Sequence, residues 1–459
     1  MRTSTSIAVF FLGAVSLAPV FAQESARETY PFFPSLINTS SGNPVASKRF
    51  MDPALCQGCH GEIFDQWQGS MHSFAFPDPV FQALWRLASE ETGGLTDILC
   101  AGCHTAIGTV SEEVVFEGGE FRVSEIARKG VQCDLCHSIS ASSFLKTPTH
   151  LPQNASIIVD PGVVKRGPYD DSVSPFHECA YSELHTTSEF CGNCHNVFHP
   201  VTNFHIENTY SEWKFSVYAQ KGIQCQDCHM MPVEKAIEVA RTLEKPKNPG
   251  KASIMGPERD QVYTHEFVGA NYTVTSLLGS DRHAEIARER LKGAAEVEIL
   301  APESAQKGGL VTVKVKVTNV GAGHNLPTSL TEVRQMWLDV SVKDASGVEI
   351  FRSGALDAAG NIDEEAVIFN AHAVTQDGHH TVRPWEIARF EYNRTIPPKG
   401  SAREKYSFLV PHNAHGPLAV EATLRYRSYP QSMADMLLGD EAPVLPVVDM
   451  ARKEVQIVI

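Results

Sequence analysis

Val311, Val313, Val315 and Val317 alternate with Thr and Lys, the two-residue period of a strand with one buried face. Leu338, Val340 and Val342 repeat the alternation, and Val455, Ile457 and Ile459 close the chain with it. Gly-, Pro- and Asn-rich stretches separate these runs, so residues 296–459 are expected to form an all-β, immunoglobulin-like sandwich. Just before them the period changes. Between Asp281 and Glu296, the residues Ile286, Ala287, Leu291 and Ala294 share one face at helical spacing. Apart from that helix, residues 51–295 show few clear periods and many His and aromatic residues. Such a stretch reads as helix and loop with too little patterned apolar sequence for an ordinary side-chain core.

The N-terminus is patterned differently. Ile7 to Val20 form an apolar run behind Arg2, and Val20-Phe21-Ala22 suits a signal peptidase. The run is shorter than the roughly 20 apolar residues that span a bilayer, and no Cys follows Ala22 to take a lipid. Residues 1–22 are therefore expected to be a signal peptide and 23–50, rich in Ser, Pro and Asn, a loose lead-in. The mature chain is expected to be exported, to periplasm or extracellular medium, soluble and without a membrane anchor.

Cysteine usage explains the unpatterned stretch. The chain has 11 Cys, and ten of them form five pairs with two residues between, each pair followed at once by His. The sites are Cys56-x-x-Cys59-His60, Cys100-x-x-Cys103-His104, Cys133-x-x-Cys136-His137, Cys191-x-x-Cys194-His195 and Cys225-x-x-Cys228-His229. This is the c-type haem attachment pattern. Two thiols at this spacing reach the two vinyl groups on one porphyrin edge, and the next residue brings imidazole nitrogen to the iron. A chance match is expected roughly 0.01 times in such a chain, so five are not accidental. Zinc or iron–sulfur ligation would use the Cys pairs but leaves the fixed His unexplained. Five haem c groups are thus expected, with flat macrocycles packing the 51–295 domain in place of side chains. Short separations between the second and third sites, and between the fourth and fifth, predict that those pairs are neighbours.

Fourteen His remain beyond the five in the motifs, enough for a second axial ligand on every iron. Five stand in suggestive contexts. His72 follows Trp67-x-x-Ser70, His177 lies in Ser-Pro-Phe-His-Glu-Cys, and His185 in Glu-Leu-His just before the fourth site. His265 begins His-Glu-Phe-Val-Gly. His324 lies in Gly-Ala-Gly-His-Asn-Leu-Pro-Thr, a turn that lets a haem approach the backbone and would set the β domain against it. His150, His199, His205 and His283 are the alternatives, and His372, His379, His380, His412 and His415 read as surface residues of the β domain. Cys179 has no partner in the motif scheme and reads as a buried, unreactive thiol or, alternatively, a reactive one.

The stretches Phe190-Cys-Gly-Asn-Cys-His-Asn196 and Tyr210-Ser-Glu-Trp-Lys214 to Met230 resemble bacterial multihaem c-type cytochromes. In particular they are similar to the family that includes the tetrahaem cytochrome accepting electrons from hydroxylamine oxidoreductase. Trp67…His72, His265-x-Phe267-x-Gly269 and Gly323-His324 resemble segments of its larger relatives. The resemblance implies bis-His haems arranged as a wire, with one iron sometimes left open.

A formal charge of −15 opposes nucleic-acid binding and suits a basic redox partner. Expected partners are other cytochromes or a membrane-bound or periplasmic oxidoreductase, with an oligomer or filament also open. No phosphate loop, serine elbow or complete zinc-protease motif is present, so no catalytic residue is assigned. Electron transfer is the preferred function. The alternative is a reductase or oxidase of a small nitrogen or sulfur compound at one open iron, although all five sites keep the His that a known nitrite-reducing pattern replaces by Lys.

Overall fold

The computed structural model describes residues 30–459; the signal-peptide segment and residues 23–29 of the lead-in lie outside the described residues. A helix-rich region comes first and a β-rich region follows.

Seven main strands build the second region: β1 Ala295–Leu300, β2 Leu310–Asn319, β3 Gln335–Lys343, β4 Glu349–Ser353, β5 Ser401–Leu409, β6 Leu418–Arg427 and β7 Val448–Ile457. They form two antiparallel sheets, β1-β2-β5 and β4-β3-β6-β7, with Ile368–Phe369 also pairing to β3. The four valines of β2 are all buried, between neighbours that are exposed or half-buried. They share one core with Leu338, Val340 and Val342 of β3 and with Leu418, Val420, Ala422 and Leu424 of β6. β3 is covered on both faces. On its other face Asp339, 4% exposed, is held by Arg352 and Arg425, each at 2.6 Å, the pairing that a buried charge requires.

The helix expected before the strands spans Asp281–Ala294, two residues short of the sequence pattern because Ala295 and Glu296 already pair in β1. Its buried Ala284, Ala287, Leu291 and Ala294 belong to the same core as the strands. A boundary at 295/296 therefore runs through one packed unit, and the helix sides with the sheets.

The first region consists of short helices and two- or three-stranded ribbons. A 14-residue helix, Pro79–Thr92, has a physical cause at each end: the Asp78 carboxylate accepts from Val80 N (2.9 Å) and Phe81 N (3.2 Å), Pro79 needs no N–H partner, and Gly93 ends it at φ 61°. Each Cys pair lies on or beside a short helix: Pro53–Cys56, Asp97–His104, Cys133–Ser138, Ser188–Gly192 and Gln226–His229.

The lead-in is not loose where it is described. Tyr30, Phe32, Leu36 and Ile37 are buried, and Asn38–Thr39 pairs in parallel with Ile157–Val159. Its Ser and Asn residues satisfy backbone groups there, as where Ile37 N donates to Ser35 Oγ at 3.3 Å and Thr39 N to Asn38 Oδ1 at 2.8 Å. Polar composition alone misread that role.

Candidate haem sites

One continuous cavity of about 1720 Å³ runs through the first region and along its junction with the strands. It exceeds the roughly 300–1,000 Å³ of an ordinary small-molecule pocket. All ten motif cysteines and all five motif histidines line it, together with His72, His177, His185, His265 and His324.

The thiols of different motifs meet. Cys56 is within hydrogen-bonding reach of Cys133, Cys103 of Cys194, and Cys191 of Cys225. The first site thus neighbours the third, and the fourth neighbours both the second and the fifth. Cys136 lies near Cys191 and Cys194, which joins the third site to the fourth. The fourth and fifth sites are neighbours, as their sequence spacing suggests. The second site makes its thiol contact with the fourth rather than with the third. A short connection limits the distance between two sites, but it leaves open which other site folds between them.

Histidines also come in facing pairs. Ring centres are 6.5 Å apart for His60 and His177, 6.3 Å for His195 and His72, 6.5 Å for His137 and His265, and 6.2 Å for His229 and His324, with planes inclined by 20–31°. A metal–imidazole bond of about 2 Å plus about 1.2 Å from nitrogen to ring centre, on both sides, requires about 6.4 Å. The four gaps fit one iron each.

Hydrogen bonds select the nitrogen left to ligate. Nδ1 of His60 donates to Ala252 O (2.7 Å), that of His104 to Ala75 O (2.8 Å), His137 to Arg166 O (2.6 Å) and His229 to Val268 O (2.9 Å). On the facing side, His177 donates to Glu178 O (3.1 Å), His265 to Tyr263 O (3.0 Å) and His324 to Asn325 O (2.9 Å). A carbonyl on Nδ1 fixes the tautomer that leaves the Nε2 lone pair free for a metal. Burial pushes His72, His229 and His265 down to about 3 and His104 to about 4, so these imidazoles are neutral, as ligands must be.

His185 differs. Its ring lies 5.9 Å from that of His137, but its Nε2 is hydrogen-bonded to Cys136 O at 3.0 Å and its buried Nδ1 has no partner. It sits beside the third site, where His265 is the residue that faces His137 with a free Nε2. His199, His205 and His283 likewise spend Nε2, on Trp385 O, Asn196 Oδ1 and Gln66 O. Cys179 lies half-buried with its sulfur 3.6 Å from His177 Nδ1.

His104 has no facing histidine among the described residues. Phe81 stacks on its ring instead, with centres 3.7 Å apart and planes within 3°. Trp85, Phe121 and Phe76 continue this apolar cluster. No local sequence signal marks Phe81, because its place comes from the capped helix Pro79–Thr92 being laid across the second motif.

The remaining fit is electrostatic. Arg290 is buried with an unpartnered Nε and lines the cavity beside Cys228, whose carbonyl takes its Nη2 at 2.8 Å. Lys165, Arg166 and Arg334 line the cavity too, and such cations suit the carboxylates of a porphyrin edge. The His324 turn is set against the helix-rich region by close packing: a Cβ on Gly323 would fall 3.3 Å from the Tyr218 ring. No cluster of three or more His, Cys, Asp or Glu among the described residues could hold a bare metal ion. The facing imidazoles leave room for a flat group between them.

Residues 55–138, spanning the first three motifs, match the family described as cytochrome c554 and c-prime. In fold, 89% of this chain is similar to 99% of a penta-haem cytochrome c552 from Thermochromatium tepidum, with a TM-score of 0.61 and 18% identity. The family match covers part of the helix-rich region, and the likeness to the solved cytochrome is one of fold. Other similarities are slight. A CARDB domain from Pyrococcus furiosus, solved with two metal ions, aligns at TM-score 0.17 and 14% identity over 36% of this chain and 87% of its own. A conjugative transposon lipoprotein from Bacteroides eggerthii aligns at 0.14 and 8% over 36% and 96%. No curated protein sequence matches this chain. Among the described residues, no helix is long and apolar enough to cross a membrane.

Proposed function

We propose that the protein is an exported electron carrier holding five haem c groups, four of them bis-His and the one on His104 open at its sixth position. The observation that carries this reading is the single cavity lined by all five Cys-Cys-His sets, with thiols of neighbouring sets in contact. Bound haem supplies a reversible one-electron couple at each site. The chain's part is to fix and tune. Cysteine thiols anchor, backbone carbonyls hold seven of the nine imidazoles in one tautomer, His72 and His195 being the exceptions, and burial keeps His72, His104, His229 and His265 neutral. The third and fourth sites occupy the middle of the anchor order, with the first, second and fifth at its ends.

The two antiparallel sheets support reading the second region as an immunoglobulin-like sandwich, whose part is to lend His324 to the fifth site and close the cavity. An oxidoreductase that delivers electrons, such as the hydroxylamine-oxidising kind suggested by the resemblance, is one class of partner. A redox titration of the purified holoprotein tests the reading: five electrons taken up reversibly support it, and fewer than five titrating haems would sink it.

The lone His104 favours one second reading, a small-molecule reductase at that site. Electron paramagnetic resonance of the oxidised protein separates the two. Turnover with nitrite or hydroxylamine, together with a high-spin signal that those compounds alter, favours the reductase; an unaltered signal and no turnover favour the carrier.

A further inference from the structure

The five sites are not equally sheltered. At the second to fifth sites both residues between the cysteines are buried: Ala101 and Gly102, Asp134 and Leu135, Gly192 and Asn193, Gln226 and Asp227. At the first site Gln57 and Gly58 are exposed. Large apolar side chains surround that site at the surface, with Leu55 71% exposed, Val173 93%, Phe176 73%, Ile254 71% and Met255 64%. They come from three segments tied together there. Ile254 N donates to Cys59 O at 3.0 Å, His177 faces His60, and Arg259 bridges to Asp171 at 2.5 Å.

The charge around this apolar centre is lopsided. Segments 52–65, 169–178 and 251–260 carry eight carboxylates against two cations, Lys251 and Arg259. Four of the carboxylates are paired, with Arg259, Lys251, Lys129 and Lys247. The other four, Glu62, Asp65, Asp170 and Glu178, are exposed and have no cation partner among the described residues.

We infer that the surface around His60 and His177 is the docking face for a small redox protein that presents a ring of lysines about an apolar centre. The inference rests on the electron-carrier reading. An apolar core with a charged rim is the anatomy of a short-lived protein interface, and opposite charges on the rims speed and orient encounter. A second copy of this chain is disfavoured as occupant, because two acidic rims and two net charges of −15 repel.

The probe is a small lysine-rich monohaem cytochrome c, titrated into the holoprotein at low salt and followed by calorimetry and by chemical-shift changes on the probe. Binding is expected to weaken at least tenfold on raising salt to about 0.3 M, where rim charges are screened. The reversal set Glu62→Lys, Asp65→Lys, Asp170→Lys is expected to weaken it at least tenfold at low salt. A matched set on the β-rich region, Asp377→Lys, Asp440→Lys, Glu441→Lys, is expected to leave it within twofold. Leu55→Ser with Ile254→Ser should weaken it at low and high salt alike. Equal loss in the two reversal sets, or no loss in the first, overturns the docking face. A change in self-association of this chain on reversal overturns it in favour of a second copy. Five-electron titration of the same preparation separates the two levels. If it succeeds while docking fails, only this inference falls, and if it fails, the carrier reading falls with it.

Discussion

Replacing His324 by Ala removes a ring whose centre lies 6.2 Å from that of His229 and whose Nδ1 is already committed to Asn325 O. On the proposed ligation, four facing pairs and one solitary His104 would make one iron in five high-spin in the oxidised wild-type protein, since a ferric haem with two imidazoles is low-spin and one lacking its sixth ligand is not. The substitution should raise that share to two in five, a doubling of the integrated high-spin resonance. The Cys225 and Cys228 anchors are untouched, so the ratio of haem to protein should stay at five. Added imidazole should lower the share again by occupying the space the ring leaves. His185→Ala is the matching control. Its Nε2 is engaged by Cys136 O, so its loss should leave the high-spin share unchanged, whereas His265→Ala should double it. The reasoning fails if His324→Ala stays at one in five with all five haems attached, or if His185→Ala and not His265→Ala produces the rise.

Glu332 is 4% exposed with neither carboxylate oxygen partnered, and burial raises it to about 7 despite the nearby Arg334. Between its ordinary 4.5 and about 7 the folded protein holds a proton that the unfolded chain has released. Its contribution is therefore full below about pH 4.5 and lost as pH rises through 7, an effect of about 3 kcal/mol. Glu332→Gln should flatten the fall in guanidinium-unfolding stability between pH 5 and 8; parallel curves for the two proteins would count against the assignment. Gly192 sits inside the fourth motif, and a Cβ there would come within 2.4 Å of the Tyr210 ring. Gly192→Ala should destabilise by about 1–3 kcal/mol and lower haem content at that site, read by denaturant unfolding and by mass of the holoprotein. Asp78→Ala removes the cap of the helix that carries Phe81 and should cost about 1 kcal/mol in thermal unfolding, with no change if the cap bonds do not persist in solution.

What could be read in advance depended on how local each feature is. The Cys-x-x-Cys-His sets are contiguous because one porphyrin edge and one iron demand adjacent residues, so the sequence shows them whole. The strands of the β-rich region and the Asp281–Ala294 helix were legible for a similar reason: a one-sided core writes its period directly into β2, β3 and the helix face. The parallel pairing of Asn38–Thr39 was not, since its partner lies more than a hundred residues away.

The facing histidines lie between these cases. His72, His177, His265 and His324 could be picked as a class from their surroundings, yet nothing along the chain pairs His72 with His195 across 123 positions, or separates His265 from His185 at the third site. The quantity that separates them is which ring nitrogen meets a backbone carbonyl, and that is set by where loops such as 263–268 come to rest after folding. The same logic isolates His104. Its Nδ1 is held by Ala75 O exactly as a ligand's should be, while the opposing position is supplied by no histidine among the described residues. A chain with surplus histidines that leaves this one imidazole unmatched, amid Phe81, Trp85 and Phe121, has placed its asymmetry at the second site. Because that site adjoins the fourth through Cys103 and Cys194, any chemistry there draws on the middle of the anchor order rather than on a detached end. On the proposed carrier reading, the electron count at the second site is coupled to the rest, and a reductant supplied at the first site should reach it without a separate partner.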